Sequence, residues 1–172
     1  MSIHSRFIAA VVVLTVMPCS NLWAKGLSTG FSEVTMEELE IGRDYSTKEV
    51  AGLPLVVVNT GEEPIDLKVE LLMPDASELK EGYEPIPDLG WVSLGQTEFS
   101  AIQPKEAAET DVLISIPSND VYRGRKYQVY IWSHTTGTAI GVGLKSKLLF
   151  TIKNNDAPSP RRGEGRGEGG IL

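Results

Sequence analysis

The side chains that most often carry chemistry are scarce in this sequence. Its 172 residues include one cysteine, Cys19, and two histidines, His4 and His134. A single thiol forms no intrachain disulfide and no cysteine-built zinc site, and two imidazoles do not make a multi-histidine metal centre. His134 sits in Ser133-His134-Thr135-Thr136-Gly137, which reads as a hairpin turn following a strand. No Gly-x-Ser-x-Gly or His-Glu-x-x-His motif accompanies it. Carboxylates are plentiful, with Asp+Glu at 23, but no spacing singles out an acid/base pair. Gly141-Val142-Gly143-Leu144 lacks the strand–turn–helix setting of a phosphate loop and reads as a glycine-punctuated edge strand. These readings nominate no catalytic, cofactor-binding or metal residue, and the chain is expected not to be an enzyme.

Binding chemistry has more material. Residues 74–91 form the longest irregular stretch, with Pro74, Pro85 and Pro87 and the acids Asp75, Glu78, Glu81, Glu84 and Asp88. Loops of that length in compact domains are often functional. One reading is an oxygen-ligand calcium site, although no EF-hand spacing is present. A second makes Tyr83 and Trp91 a stacking platform for sugar rings, with Tyr130 and Trp132 as further candidates. A third has Trp91 plugging one end of a β-sandwich.

The net charge of −7 argues against nucleic acid as the main partner. It also conceals an asymmetry. Residues 27–153 hold 20 acids and 11 bases, and every one of those acids precedes Val121. From Val121 to Lys153 the charged residues are Arg123, Arg125, Lys126, Lys145, Lys147 and Lys153. Pairing of the last two strands turns these into a basic strip. Arg123, Arg125, Lys145 and Lys147 are the candidate docking residues, for another cell-envelope protein, an anionic surface polymer or a second copy of the module. The alternative is edge protection, since lysine on an edge strand discourages sheet-to-sheet aggregation.

The elements that position these residues read as strands. Leu53–Val58 is a β-branched run closed by Asn59-Thr60-Gly61, which is turn chemistry. Ile65, Leu67, Val69 and Leu71 alternate with Asp66, Lys68 and Glu70, the period of a half-buried strand. Thr110, Val112, Ile114 and Ile116 give a second alternating run. Lys126–Trp132 gives a third, with Tyr127, Val129 and Ile131 on one face and Gln128, Tyr130 and Trp132 on the other. Leu144–Ile152 gives a fourth, and weaker strands are expected near Val34–Ile41 and Trp91–Leu94. Thr35–Glu40 has a short helical flavour that Gly42 ends, and no amphipathic helix stands out. About seven strands separated by turn signals is the profile of an all-β, single immunoglobulin-like antiparallel sandwich over residues 27–153.

Three stretches carry a resemblance. Leu55-Val56-Val57-Val58-Asn59-Thr60-Gly61-Glu62-Glu63-Pro64-Ile65 resembles the second strand and Val-x-Asn-x-Gly turn of bacterial secreted immunoglobulin-like domains. Ala101-Ile102-Gln103-Pro104-Lys105-Glu106 is similar to their Pro-Gly-Glu turn, with Lys105 in the glycine place. Gly124-Arg125-Lys126-Tyr127-Gln128-Val129 resembles the start of their penultimate strand, which makes Tyr127 a candidate tyrosine corner. The motifs are shared by fibronectin III-like, chaperone-like and adhesion domains. The resemblance therefore implies a fold and no activity.

The ends read differently. Met1–Arg6 carries one base and no acid, Phe7–Met17 is apolar, and Pro18–Ala24 is polar with a breaker. That is the order of a secretory signal peptide, cleaved after Ala24. The apolar run is shorter than the roughly 20 residues of a transmembrane helix, so no membrane span is expected after cleavage. Val16-Met17-Pro18-Cys19 matches lipoprotein signals poorly, leaving lipid anchoring at Cys19 as the lesser alternative. Residues 154–172, with the run Gly163-Glu164-Gly165-Arg166-Gly167-Glu168-Gly169-Gly170, are expected to be a disordered tail. The expected function is a non-catalytic secreted or periplasmic module that binds or scaffolds another envelope protein, without a cofactor. The alternative is a carbohydrate-binding module using Tyr83, Trp91, Tyr130 and Trp132.

Overall fold

The computed structural model describes residues 26–137 and 141–154. The expected signal peptide (1–24) and the tail from residue 155 lie outside the described residues.

Alternation of apolar and polar residues produces a nearly all-β chain. Its strands are β1 (Leu27–Thr29), β2 (Glu33–Leu39), β3 (Asp44–Ser46), β4 (Leu55–Asn59), β5 (Ile65–Leu72), β6 (Glu84–Pro85), β7 (Val92–Leu94), β8 (Glu98–Ile102), β9 (Ala107–Thr110), β10 (Val112–Ser115), β11 (Lys126–Thr136) and β12 (Gly143–Ile152). Among the described residues one short α-helix, α1 (Thr47–Ala51), precedes β4. The larger sheet runs β2-β12-β11-β5-β8, with β6 also on β11; the others run β1-β4-β9 and β3-β10-β7. The alternating residues Ile65, Leu67 and Val69 of β5 face inward with Val129, Ile131, Leu148 and Phe150. They meet Leu55, Val57, Ala108, Val112 and Ile114 of the smaller sheets in one apolar core. This is an immunoglobulin-like β-sandwich, as the strand pattern implies.

Several local expectations change. The run from Thr110 to Ile116 is two strands that pair with different sheets, because the chain breaks at Asp111. The Asp111 carboxylate accepts from Ser46 Oγ at 2.5 Å and from the Lys48 N–H at 3.2 Å, holding the start of α1. The strand expected near Val34–Ile41 is β2, which takes in most of Thr35–Glu40 despite its helical flavour. β2 runs parallel to β12, and β6 parallel to β11, so the larger sheet is not wholly antiparallel. Most important, β12 is not an edge strand, because β2 covers one side of it and β11 the other. Gly143 is explained by packing instead. A Cβ there would stand 2.5 Å from the Trp132 indole, so the glycine makes room for a cross-strand ring. Lys145 and Lys147, on the same covered strand, therefore do not serve as edge protection. The tyrosine expected at a corner, Tyr127, packs its ring against Trp91 and Phe150. It is Tyr45 whose hydroxyl accepts from the Glu40 N–H at 2.7 Å.

Lys105, standing where similar turns carry glycine, has φ 70 in the turn that the Glu106 N–H closes onto Gln103 O at 3.0 Å. A left-handed backbone costs a lysine about 1–2 kcal/mol, part of which glycine returns as unfolded-state entropy. Lys105→Gly is therefore expected to raise stability by about 0.5–1 kcal/mol in urea unfolding, and Lys105→Val to lower it.

Candidate functional site

The solvent side of the larger sheet collects most of the residues singled out above. Along β11 the outward side chains are Gln128, Tyr130, Trp132 and His134, flanked in register by Lys147, Lys145 and Gly143 of β12. On the other side stand Leu72, Glu70 and Lys68 of β5. The first half of this face is covered by the 74–91 loop. Gln128 is fully buried: its Oε1 accepts from the Lys80 N–H at 2.8 Å and its Nε2 donates to Glu78 O at 3.0 Å. The Tyr130 hydroxyl donates to the same Glu78 carbonyl at 3.2 Å. The loop is thus a strap clamped onto the sheet.

That strap meets the basic strip. Lys145 Nζ reaches Glu78 at 3.0 Å and lies 4.7 Å from the Tyr130 ring centre. Arg125 pairs with Glu84 at 2.7 Å, Arg123 with Asp120 at 2.5 Å, and Lys147 approaches Glu33 at 3.9 Å. The hydrogen bond that the Lys145 ammonium donates to Glu78 holds its pKa above the usual lysine range. The four docking candidates are thus matched by acids that precede them in the chain, and the linear charge asymmetry largely cancels in space.

The aromatic candidates separate. Trp91 is 7% exposed and packs edge-on against Tyr122 and Tyr127, plugging the end of the sandwich. Tyr130 is 4% exposed beneath the strap. Tyr83 is half-buried in the loop, with Lys126 6.0 Å from its ring centre. Trp132 is also half-buried and stacks on His134 at 5.9 Å. His134 Nε2 lies 3.0 Å from Glu70, whose other oxygen takes Lys68 at 2.6 Å. Hydrogen bonds from Lys68 first and His134 second hold the Glu70 carboxyl below the ordinary carboxylate range. Trp91 and Tyr130 therefore offer no open ring to a sugar. Among the described residues, no group of three or more His, Cys, Asp or Glu side chains is gathered to hold a metal ion.

The feature that sequence reasoning missed lies at the rim. β2 is one of the two edge strands of the larger sheet, β8 being the other, and among the described residues no strand pairs with the outer side of β2. Lys147 N–H donates to Ser32 O at 2.9 Å. Residues that bond a given neighbour alternate along a strand, so Val34 and Met36 also turn their backbone toward β12. Glu33, Thr35 and Glu37 turn theirs outward. Beside β2 the sandwich is open, because β1 pairs only with Val57–Asn59 of β4 and leaves Leu55 and Val56 beyond its end. The result is a groove of about 290 Å³ lined by Phe31, Val34, Leu53, Pro54 and Val56, with Gly30 and Gly52 at its lip. Leu53 is 49% exposed there, and Val50 of α1 is 59% exposed. At the far end of β2, Glu37 and Glu38 border a hollow shared with Gly124 and Lys126. Both carboxylates are exposed and hold no ion pair among the described residues. The sequence signal was a strand with charged outward positions and no lysine or proline, Glu33-Val34-Thr35-Met36-Glu37-Glu38-Leu39.

No family model matches the chain, and no curated protein matches it in sequence. Solved structures do resemble it. An ASH/PapD-like domain of human CEP192 superposes with TM-score 0.54 at 13% identity, over 88% of this chain and 98% of that one. A "putative carbohydrate binding protein" from Bacteroides ovatus gives 0.51 at 16% identity, over 74% of this chain and 37% of that one. The periplasmic chaperone SfaE gives 0.47 at 16%, over 78% and 60%. At such identities the likeness is one of fold alone, an immunoglobulin-like β-sandwich. Among the described residues, no helix is long and apolar enough to cross a membrane.

Proposed function

We propose that this chain is a non-catalytic protein-binding module that holds an extended segment of another protein by strand addition to β2. The observation that carries this reading is the outer side of β2, with which no strand pairs among the described residues, beside an open apolar groove. An exposed edge presents a row of backbone donors and acceptors, and partner strands use them. The groove supplies what backbone pairing lacks, a pocket for a side chain. The pattern of residues 1–24 supports action outside the cytoplasm, in the periplasm or secreted, with another envelope protein as partner. Arg123, Arg125, Lys145 and Lys147 enter this reading as flanking contacts whose charges the fold already matches.

Thr35→Pro tests it. The substitution removes an outward N–H from an edge strand, where proline is tolerated. The variant is expected to keep the wild-type circular dichroism spectrum and lose the proteins that the wild type captures from envelope extract. Capture equal to wild type would overturn the strand-addition reading.

A further inference from the structure

The geometry points to the chemistry of the segment that β2 accepts: an extended stretch with one bulky aliphatic residue, and with lysine or arginine one and three positions away from it. This rests on the strand-addition reading and adds the partner's side-chain pattern to it.

Parity sets the spacing. Val34 faces the interior at 6% exposure and lines the groove with Phe31, Leu53, Pro54 and Val56. A residue paired opposite Val34 on an added strand projects to the same face of the sheet, toward that groove. Only an apolar side chain gains there, because the lining offers it carbon. Residues opposite Thr35 and Glu37 lie one and three positions along the added strand, and alternation puts them on the outer face. There the exposed neighbour is Glu37, with Glu38 just beyond it.

The outer-face acids differ in what they are free to do. Glu33 is engaged, with Lys80 at 2.5 Å and Lys147 at 3.9 Å, and those cations hold its carboxyl below the usual range. Glu40 is engaged with Arg43 and Lys153. Glu37 and Glu38 between them hold no such pair among the described residues. Lys126 lines the same hollow, and its ammonium reaches over the Tyr83 ring instead. Beyond Glu37 the strand stops offering a regular edge. Glu38 adopts φ 57 and gives its N–H to Thr151 Oγ1 at 3.0 Å. That bulge limits the added strand to the span from Glu33 to Glu37, which is the span between groove and free acids. An acidic segment is disfavoured on the same ground, since like charges directly opposite on a sheet destabilise the pair.

The probes are synthetic eight-residue peptides, acetylated, amidated and fluorescein-labelled, read by fluorescence anisotropy against the full chain. One has the order Ser-Thr-Ile-Lys-Thr-Arg-Thr-Ser, and a second reverses it, so both strand directions are covered. The better of the two is expected to bind at least tenfold more tightly than its relatives with Ile replaced by Thr, or with Lys and Arg replaced by Glu. N-methylation of its alternate amides is expected to abolish binding. Glu37→Lys with Glu38→Lys, and separately Leu53→Lys, are all at exposed positions and are expected to weaken it at least tenfold with an unchanged thermal midpoint. Equal binding of the Glu-substituted peptide, or indifference to the Glu37/Glu38 change, would overturn the proposed pattern. The same chain panned against a random peptide library separates the two levels. Selected peptides that lack the pattern but are lost in Thr35→Pro overturn the pattern and leave strand addition standing. Peptides retained by Thr35→Pro overturn strand addition itself.

Discussion

Asn59→Ala is expected to cost about 3–4 kcal/mol of stability, because it leaves three backbone groups without partners at about 1–3 kcal/mol each where they are buried. Asn59 ends β4 and is 1% exposed. Its Nδ2 donates to Glu63 O at 2.8 Å and to Ile102 O at 3.0 Å, and its Oδ1 accepts from the Gly61 N–H at 2.9 Å. Its own backbone accepts from the Lys105 N–H at 2.7 Å and donates to Glu106 O at 2.9 Å. One residue therefore fastens the β4–β5 turn, the end of β8 and the turn before β9. Asn59→Asp keeps the shape but replaces the donor with an oxygen facing two carbonyls. It should be at least as damaging at neutral pH, and less so in acid, where a protonated carboxyl donates once. The measurement is urea unfolding at two pH values, with exposed Glu62→Ala as the control expected within about 0.5 kcal/mol of wild type. A loss below about 1 kcal/mol for Asn59→Ala would mean that water replaces the amide.

That residue also shows what the sequence made legible. Val-x-Asn-x-Gly announced a turn because asparagine bonds its own backbone two residues on, a local act, and the Asn59–Gly61 bond is of that kind. The second job of Asn59, reaching Ile102, spans 43 residues and left no local trace. The same division recurs. β5 was readable from Ile65, Leu67 and Val69 because one of its faces meets the core and the other does not. β12 was misplaced at an edge because its neighbour β2 lies more than a hundred residues earlier. Gly143 looked like punctuation, but its cause is an indole on another strand. The basic strip was real as composition, yet Glu33, Glu78 and Glu84 arrive from distant segments and match its charges. The β2 edge and its groove were invisible for the same reason. An edge is defined by what fails to pair, and that is settled only when the whole sheet is assembled.

Gln128→Leu is expected to cost about 1–3 kcal/mol, as the part-buried Lys80 N–H loses its partner and the Glu78 carbonyl keeps only the Tyr130 hydroxyl. It is also expected to free the strap. Period-two alternation puts Gln128 on the outward face of β11, where glutamine is unremarkable. It is buried because the chain from Glu78 to Lys80 folds across it and takes both ends of its amide. Leucine fills the volume but leaves the Lys80 N–H unanswered and the Glu78 carbonyl with the Tyr130 hydroxyl alone. The effect should spread beyond stability, since Lys80 carries the pair to Glu33, and Glu78 the pair to Lys145. Each exposed pair is worth roughly 0–1 kcal/mol, so the amide and not the charges holds the strap. Hydrogen exchange should accordingly show faster exchange at residues 76–82 in Gln128→Leu, and near-wild-type protection there in Lys145→Met. Gln128→Glu sharpens the point through its pH dependence. A carboxylate in this site accepts from Lys80 but repels the Glu78 carbonyl, so burial raises its folded pKa above the unfolded value. The deficit of this variant against wild type should be smallest below the unfolded pKa, about 4.3. It should grow as pH rises through that value and level off above the folded pKa. A deficit independent of pH would show that the side chain has swung out to water and that the strap is held by something else.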